Sequence, residues 1–410
     1  MLSIRSGLVM SAGYRLAQTV TIASRYSCVR FQGFVDTNSL SRTATEHQII
    51  EYQNQQYRLF KQLALAYAMV WTGKVVSERF QKVMASLQGD DPDSSELPEM
   101  HAVSSGLKAL CTFEGAQGME ECRKLCGGHG VLLVSGVAQM ALDYTTYVTA
   151  EGDRIVLELQ SARYLIRQLS NAREGKAISG LCTYLAPCKD PSYDPSIELR
   201  TSASTMNAFL DLGILEKLFR GRALNHVVTT GDRLNFELKR HNGNMDKAWN
   251  ACAIDLVQCS RVHCYYLMLN NFVDVLNSGR IVDTNVKTAM QAVCQFFALQ
   301  NMIEDLGSFD LTQPQKAAAR EALRSLLPII RNDIIGLTDA FEFPDNVLNS
   351  ALGRHDGKVY ESLYEAARLS PLNKHDPFPG YEEFLKPILD LDFAKEKAQL
   401  QRVGPVGSKL

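Results

Sequence analysis

The sequence predicts an all-α protein built as two helical-bundle domains, and three observations carry that expectation. Apolar residues recur three and four positions apart over long runs, which is the spacing of one face of a helix. No segment alternates with β-branched residues for long enough to make more than a short strand. The breaks between periodic runs are short and rich in glycine, proline and aspartate, as antiparallel helix bundles require.

The first run, Leu2 to about Arg30, places Ile4, Leu8, Ala12, Leu16, Val20 and Ala23 on one buried face, leaving its arginines solvated or facing a ligand. Gly33 to Thr45 is polar and turn-rich. A second run follows Ile49-Ile50-Glu51-Tyr52-Gln53 through Leu59, Leu63, Tyr67 and Val70 to Met84. Gly89 to Ser95 reads as a loop, and Pro98 between Glu96 and Glu99 starts a third helix, with an interruption expected near Gly115 to Gly118. Cys126-Gly127-Gly128-His129-Gly130 cannot be helix interior, because three glycines in four positions remove packing and open positive φ. Asp153 caps a fourth helix, with Ile155, Leu159, Ala162 and Ile166 along one face. Glu151 therefore sits at a helix mouth.

Residues 1–170 form the first bundle domain in this reading, and 171–195, with Gly175, Gly180, Pro187, Pro191 and Pro195, a linker. A second helical domain spans 196–400, with helices expected over 197–220, 223–239, 245–277, 285–303 and 315–335 and a helix pair over 346–373 broken at 353–357. Residues 401–410 form a tail.

Composition bounds the function. With 46% hydrophobic and 21% charged residues, the chain buries a sizeable core. A net charge of -2 and a pI near 6.5 give no reason to expect nucleic acid. No apolar run reaches the roughly 20 residues that a membrane span needs, and ten scattered cysteines lack the spacing of a secreted disulfide framework. Ser408-Lys409-Leu410 is the terminal tripeptide read by the peroxisomal import receptor. Arg5, Arg15, Arg25 and Arg30, with no acid before Asp36, also read as a mitochondrial transit peptide, although a helix explains them as well.

Cys111, Cys122, Cys126 and His129, and separately Cys259, His263 and Cys264, carry zinc-ligand chemistry. Their spacing is irregular and suits core cysteines beside a satisfied histidine, so no metal is expected. The CGGHG turn can cradle a phosphate through backbone N–H groups, but it lacks the Walker pattern and no strand precedes it. Arg30 can fork onto a phosphate or simply be solvated.

Several longer matches point to a family. Arg25-Tyr26-Ser27-Cys28-Val29-Arg30, Tyr52-Gln53-Asn54-Gln55-Gln56-Tyr57, Ser95-Glu96-Leu97-Pro98-Glu99-Met100-His101, Glu120-Glu121-Cys122-Arg123, the glycine turn, Glu151-Gly152, Leu348 to Arg354 and Ser370 to Lys374 follow in order. With them the chain resembles the C-terminal half of the peroxisomal acyl-CoA oxidases, within the acyl-CoA dehydrogenase superfamily. The resemblance implies the C-terminal α-domains of that fold, FAD as cofactor, and α,β-dehydrogenation of an acyl-CoA to a trans-2-enoyl-CoA, with O2 as acceptor giving H2O2. It assigns Glu151 as catalytic base. Cys111-Thr112-Phe113-Glu114-Gly115 has the wording of the catalytic signature, but it precedes the glycine turn, where the family has a helix. Arg30, Gly127, Gly128 and Gly130 are implied contacts to the flavin of a partner subunit, in a homodimer with FAD at the interface. Departures stand at Ala150, where an aromatic is common, at Arg154 and Ile155 in place of a polar pair, and at Val131 in place of a tyrosine. The family's N-terminal helical and middle β-domains would precede Met1. Two readings follow: an oxidase given as a partial chain, or a catalytically silent helical partner of a full-length oxidase.

Overall fold

The computed structural model describes residues 1–34, 45–88, 93–391 and 395. The Ser408-Lys409-Leu410 signal lies outside them, as does part of the loop that begins at Gly89.

The fold is all-α, as expected. The chain forms two compact units, Met1–Gly357 and Lys358–Leu410. The first holds α1 (Leu2–Val29), α2 (Gln53–Gln88), α3 (Leu97–Leu125), α4 (Val137–Thr149), α5 (Arg154–Arg173), α6 (Leu212–Arg240), α7 (Met245–Ala251), α8 (Ala253–Asn277), α9 (Thr284–Glu304), α10 (Gln313–Asp339) and a single turn, α11 (Asp345–Leu348). In the second unit lies α12 (Val359–Leu369). Strand β1 (Phe31–Phe34) pairs antiparallel with β2 (Glu46–Gln48), a hairpin that closes the C-terminal end of α1.

Helix α1 is the centre of the first bundle and packs along both α2 and α3. It does not carry one buried face. From Leu16 to Ser27 every residue is buried, so the helix is enclosed on all sides through its second half. Two of its arginines are structural rather than solvated. Arg25 donates to Asp339 at 2.9 Å and to the Gly353 carbonyl at 2.7 Å, tying α1 to the far end of α10. Arg5 is buried beside α3.

Other expectations need correction. Helix α3 runs without interruption, because Gly118 lies where Leu16 of α1 and Gln62 of α2 leave no room for a side chain. Helix α4 was not expected: with Leu142 and Tyr147 exposed, its apolar residues do not mark one buried stripe. On α5, Ala162 is fully buried as expected and Leu159 and Ile166 are partly buried, but the buried set also takes in Leu157, Ser161, Leu165 and Leu169, and Ile155 is exposed. Helix α6 begins at Leu212 and passes through Gly221, where the backbone of Glu198 abuts the helix so closely that a Cβ would collide. Residues 171–195, expected as a linker, carry a 3-10 segment at Gly180–Lys189. Its Cys182, Tyr184, Leu185 and Cys188 pack with Leu165 and Leu169 of α5 and Ala223 and Val227 of α6 in one core. No helix among the described residues is long and apolar enough to cross a membrane.

Candidate functional site: a basic cleft and a strained acidic turn

The ends of three helices converge on one cleft of about 700 Å³, whose lining includes Tyr26, Arg30, Gln55, Lys124, Gly127, Gly128 and His129. Arg30 is the C-cap of α1, and its extended backbone leads directly into β1. Gln55 of α2 donates to Ser27 Oγ and to the Leu125 carbonyl, both at 3.1 Å, and so fixes the spacing between the ends of α1 and α3. The Tyr26 hydroxyl and His129 Nδ1 share a hydrogen bond of 2.9 Å across the cleft floor. Among the described residues the lining has two cationic side chains and no carboxylate, which suits an anionic ligand.

The glycines divide by role. Gly127 has a φ of 58°, and at neither Gly127 nor Gly128 would an added Cβ meet anything within 4 Å, so both present open backbone to the cleft. Gly130 does not line it. A Cβ there would strike the Arg123 carbonyl oxygen, so this glycine lets the turn fold back on the end of α3. The structure thus brings Arg30, Gly127 and Gly128 together and places Gly130 behind them. These residues fit the phosphate-bearing part of a dinucleotide: open backbone, a forked cation and a rigid floor.

Glu151 lies apart from this cleft, between α4 and α5. Its φ is 61°, a left-handed conformation that costs a residue with a Cβ about 1 kcal/mol or more. Asp153 caps α5 as expected, accepting from Ile155 N at 2.9 Å. Oε2 of Glu151 is buried and accepts no hydrogen bond.

The structure supplies two buried cations that bind the backbone of the turn. Arg5 Nε donates to the Glu151 carbonyl at 3.0 Å. Lys108 of α3, fully buried, donates to the Gly152 carbonyl at 2.8 Å and to the Val148 carbonyl at 3.2 Å. Burial lowers the ammonium's proton affinity to a pKa of about 8, with Arg5 adding to the effect and Asp153 and Glu151 opposing it. In the sequence Arg5 reads only as one of the first helix's arginines, and Lys108 was not singled out. A single lysine in the otherwise apolar run from Leu107 to Cys111 was the available signal.

Glu114 occupies the middle of α3 and faces elsewhere. Burial raises its carboxyl above the usual range, against the pull of Lys61, of Arg154 and of the Tyr265 hydroxyl that donates to it. The neighbouring Phe113 is covered by the Arg154 guanidinium, 3.5 Å from the ring centre, and Arg154 also pairs with the buried Glu158 at 3.0 Å. The departure at Arg154 is thus coupled to the Phe113-Glu114 segment. Ile155 and Val131 are exposed.

In the zinc-like sets the cysteines and His263 are buried in the core, whereas His129 lines the cleft. All ten cysteines are free thiols, and burial pushes Cys122 up to about 12. His263 bonds the Tyr184 hydroxyl at 2.9 Å and is held neutral by burial, its pKa pushed down to about 4. Among the described residues no group of three or more His, Cys, Asp or Glu is arranged to hold a metal ion.

Comparison with known proteins agrees with this architecture. Residues 1–166 match the family model "Acyl-CoA oxidase, C-alpha1 domain", and residues 211–390 match "Acyl-CoA oxidase". The chain is 35% identical over 396 residues to peroxisomal acyl-coenzyme A oxidase 1 of Mus musculus, a match covering 95% of this chain and 58% of that protein. It is likewise 35% identical to a putative peroxisomal acyl-coenzyme A oxidase 1.2 of Arabidopsis thaliana, covering 97% and 58%. Among solved structures, Arabidopsis thaliana acyl-CoA oxidase 1 superposes with a TM-score of 0.86 at 34% identity, over 95% of this chain and 57% of that one. Acyl-CoA oxidase-1 of Caenorhabditis elegans, complexed with FAD and ATP, gives 0.83 at 29%, over 95% and 57%. The chain therefore spans somewhat over half the length of these relatives. It belongs to the acyl-CoA oxidase family and corresponds to the C-terminal half of its members.

Proposed function

We propose that this chain carries the base and part of the flavin site of a peroxisomal acyl-CoA oxidase. The observation that carries the reading is Glu151, a carboxylate on a left-handed turn with a buried oxygen that accepts no hydrogen bond, where the resemblance implies the base. The α-proton of a thioester is very weakly acidic, so its removal needs a base withdrawn from water and held within reach. Glu151 Oε2 takes that proton. When bound, FAD would supply the hydride acceptor for the β-carbon, with O2 as the final acceptor giving H2O2. Arg30 and the open backbone of Gly127 and Gly128 hold the anionic part of the dinucleotide, with Gly130 shaping the turn. In a homodimer the cleft would face the flavin of the partner subunit. The relatives' names and Ser408-Lys409-Leu410 together support a peroxisomal address.

A second reading, a catalytically silent helical partner of a full-length oxidase, is favoured by Arg154, whose stacking on Phe113 replaces part of the family's polar pair beside the base. One preparation separates the two. The purified chain is supplied with FAD, its visible spectrum recorded, and peroxide formation from palmitoyl-CoA measured beside Glu151→Gln. Retained flavin with activity abolished by the substitution overturns the silent partner. A reporter carrying the last twelve residues should enter peroxisomes, and import into mitochondria directed by the first thirty-five would overturn that address.

A further inference from the structure

Resting on Glu151 as the base, we propose that Lys108 and Arg5 are positioning residues: two buried cations that grip the turn by its carbonyls and so aim the Glu151 carboxylate without pairing with it.

The problem they solve is local. Glu151 and Gly152 both have positive φ, at 61° and 126°. The chain must leave α4 and enter α5 within four residues, and it does so through a conformation that a glutamate resists. The carbonyls of Val148, Glu151 and Gly152 are gathered at the C-terminal end of α4, where the helix dipole is negative. Such groups, withdrawn from water, need donors. Lys108 supplies two hydrogen bonds and Arg5 one. Arg5 is itself fixed through a 3.1 Å bond to Ser105 Oγ on α3, one turn from Lys108. The turn is thus anchored to both α1 and α3.

The choice of acceptor matters for chemistry. A cation paired directly with a carboxylate stabilises the anion and weakens it as a base. Here both cations engage main-chain oxygens, and Oε2 of Glu151 keeps its lone pairs. A charge is therefore used to fix geometry at the site while the carboxylate stays available. Two fully buried apolar residues at these positions would leave three carbonyls without partners and the left-handed turn without support.

The test is hydrogen exchange on the full chain, read by mass spectrometry, for wild type, Lys108→Met, Arg5→Gln and Arg5→Lys. The expected result is at least a tenfold faster exchange over 149–154 in Lys108→Met and Arg5→Gln, with α2 unchanged and Arg5→Lys close to wild type. Where the FAD-supplied chain turns over palmitoyl-CoA, kcat falls tenfold or more while KM stays within twofold. If Lys108→Met does not fold by circular dichroism, Arg5→Gln decides on the same peptides. Unchanged exchange in the folded variants overturns the clamp while leaving Glu151 as base. Full activity in Glu151→Gln removes the base, and with it any positioning role, whatever the exchange shows.

Discussion

Glu114 and Glu151 stand in nearly the same words, each followed by glycine, yet the fold treats them oppositely. Glu114 lies mid-helix, where the Tyr265 hydroxyl donates to its carboxylate, the charges of Lys61 and Arg154 act on it from a distance, and its backbone is ordinary α. Glu151 lies on a turn that no sequence of favourable dihedrals would choose, its backbone gripped by cations and one carboxylate oxygen left without a partner. Structural acids are surrounded by groups that satisfy the carboxylate. The acid proposed as the base has its supports on the backbone instead, and its Oε2 is left without a hydrogen bond.

The largest expected contrast is in turnover. Glu151→Gln removes the proposed proton acceptor and should cost a factor of roughly 10² to 10⁴ in the rate of enoyl-CoA formation, whereas Glu114→Gln should stay within a few-fold. Rapid-mixing absorbance of the flavin during anaerobic reduction reads both. Equal losses would erase the distinction between the two acids.

Stability should rank them the other way. Glu114→Ala strands the buried Tyr265 hydroxyl and opens a gap between α3 and α8, at a cost of about 2 kcal/mol. Urea unfolding followed by circular dichroism measures it. A neutral result would mean that the Glu114 contacts contribute nothing net.

That contrast was only partly legible in the sequence. Helices α1, α2, α3 and α5 were readable because their apolar spacing and the cap at Asp153 are local properties. The misreadings came from partners far along the chain. Gly118 looked like a break until Leu16 and Gln62 were seen filling the space beside it, and Arg25 looked solvated until Asp339, more than 300 residues away, was found against it. The glycine turn and Arg30 were legible as an open backbone and a cation. Their meeting in one cleft depends on the hairpin of β1 and β2 and on Gln55, which no spacing reveals. Lys108 was hidden for the same reason: its meaning lies in carbonyls some 40 residues downstream.

Relieving the backbone at the turn should separate stability from activity. Glu151→Gly permits the 61° φ without a Cβ and should raise stability by up to about 1 kcal/mol while removing turnover altogether. A loss of stability would show that the Glu151 side chain holds the turn, contrary to a support built from Arg5 and Lys108.

The smallest effect is the most specific to the clamp. Lys108 binds its proton less tightly folded, near pH 8, than unfolded, near the ordinary lysine value of 10.5. Between those values the unfolded chain holds more protons, so stability rises with pH, and the penalty for burying the charge is fully present below pH 8. The charges facing the ammonium are Arg5, Asp153 and Glu151, of which Arg5 opposes protonation and the two carboxylates favour it. Wild type should therefore gain on Lys108→Met by roughly half a kcal/mol between pH 7.5 and 8.5, seen as a shift in urea midpoint that the variant lacks. The same pH rise turns the grip on Val148 and Gly152 from a charge-assisted to a neutral one, which weakens each hydrogen bond without breaking it. Protection factors over 149–154, which remove the ordinary rise of exchange rate with pH, should then fall in wild type even as the whole chain becomes more stable. That opposition of local and global stability is peculiar to a charge buried to hold a turn, and parallel changes in the two would argue that Lys108 is only a packed side chain.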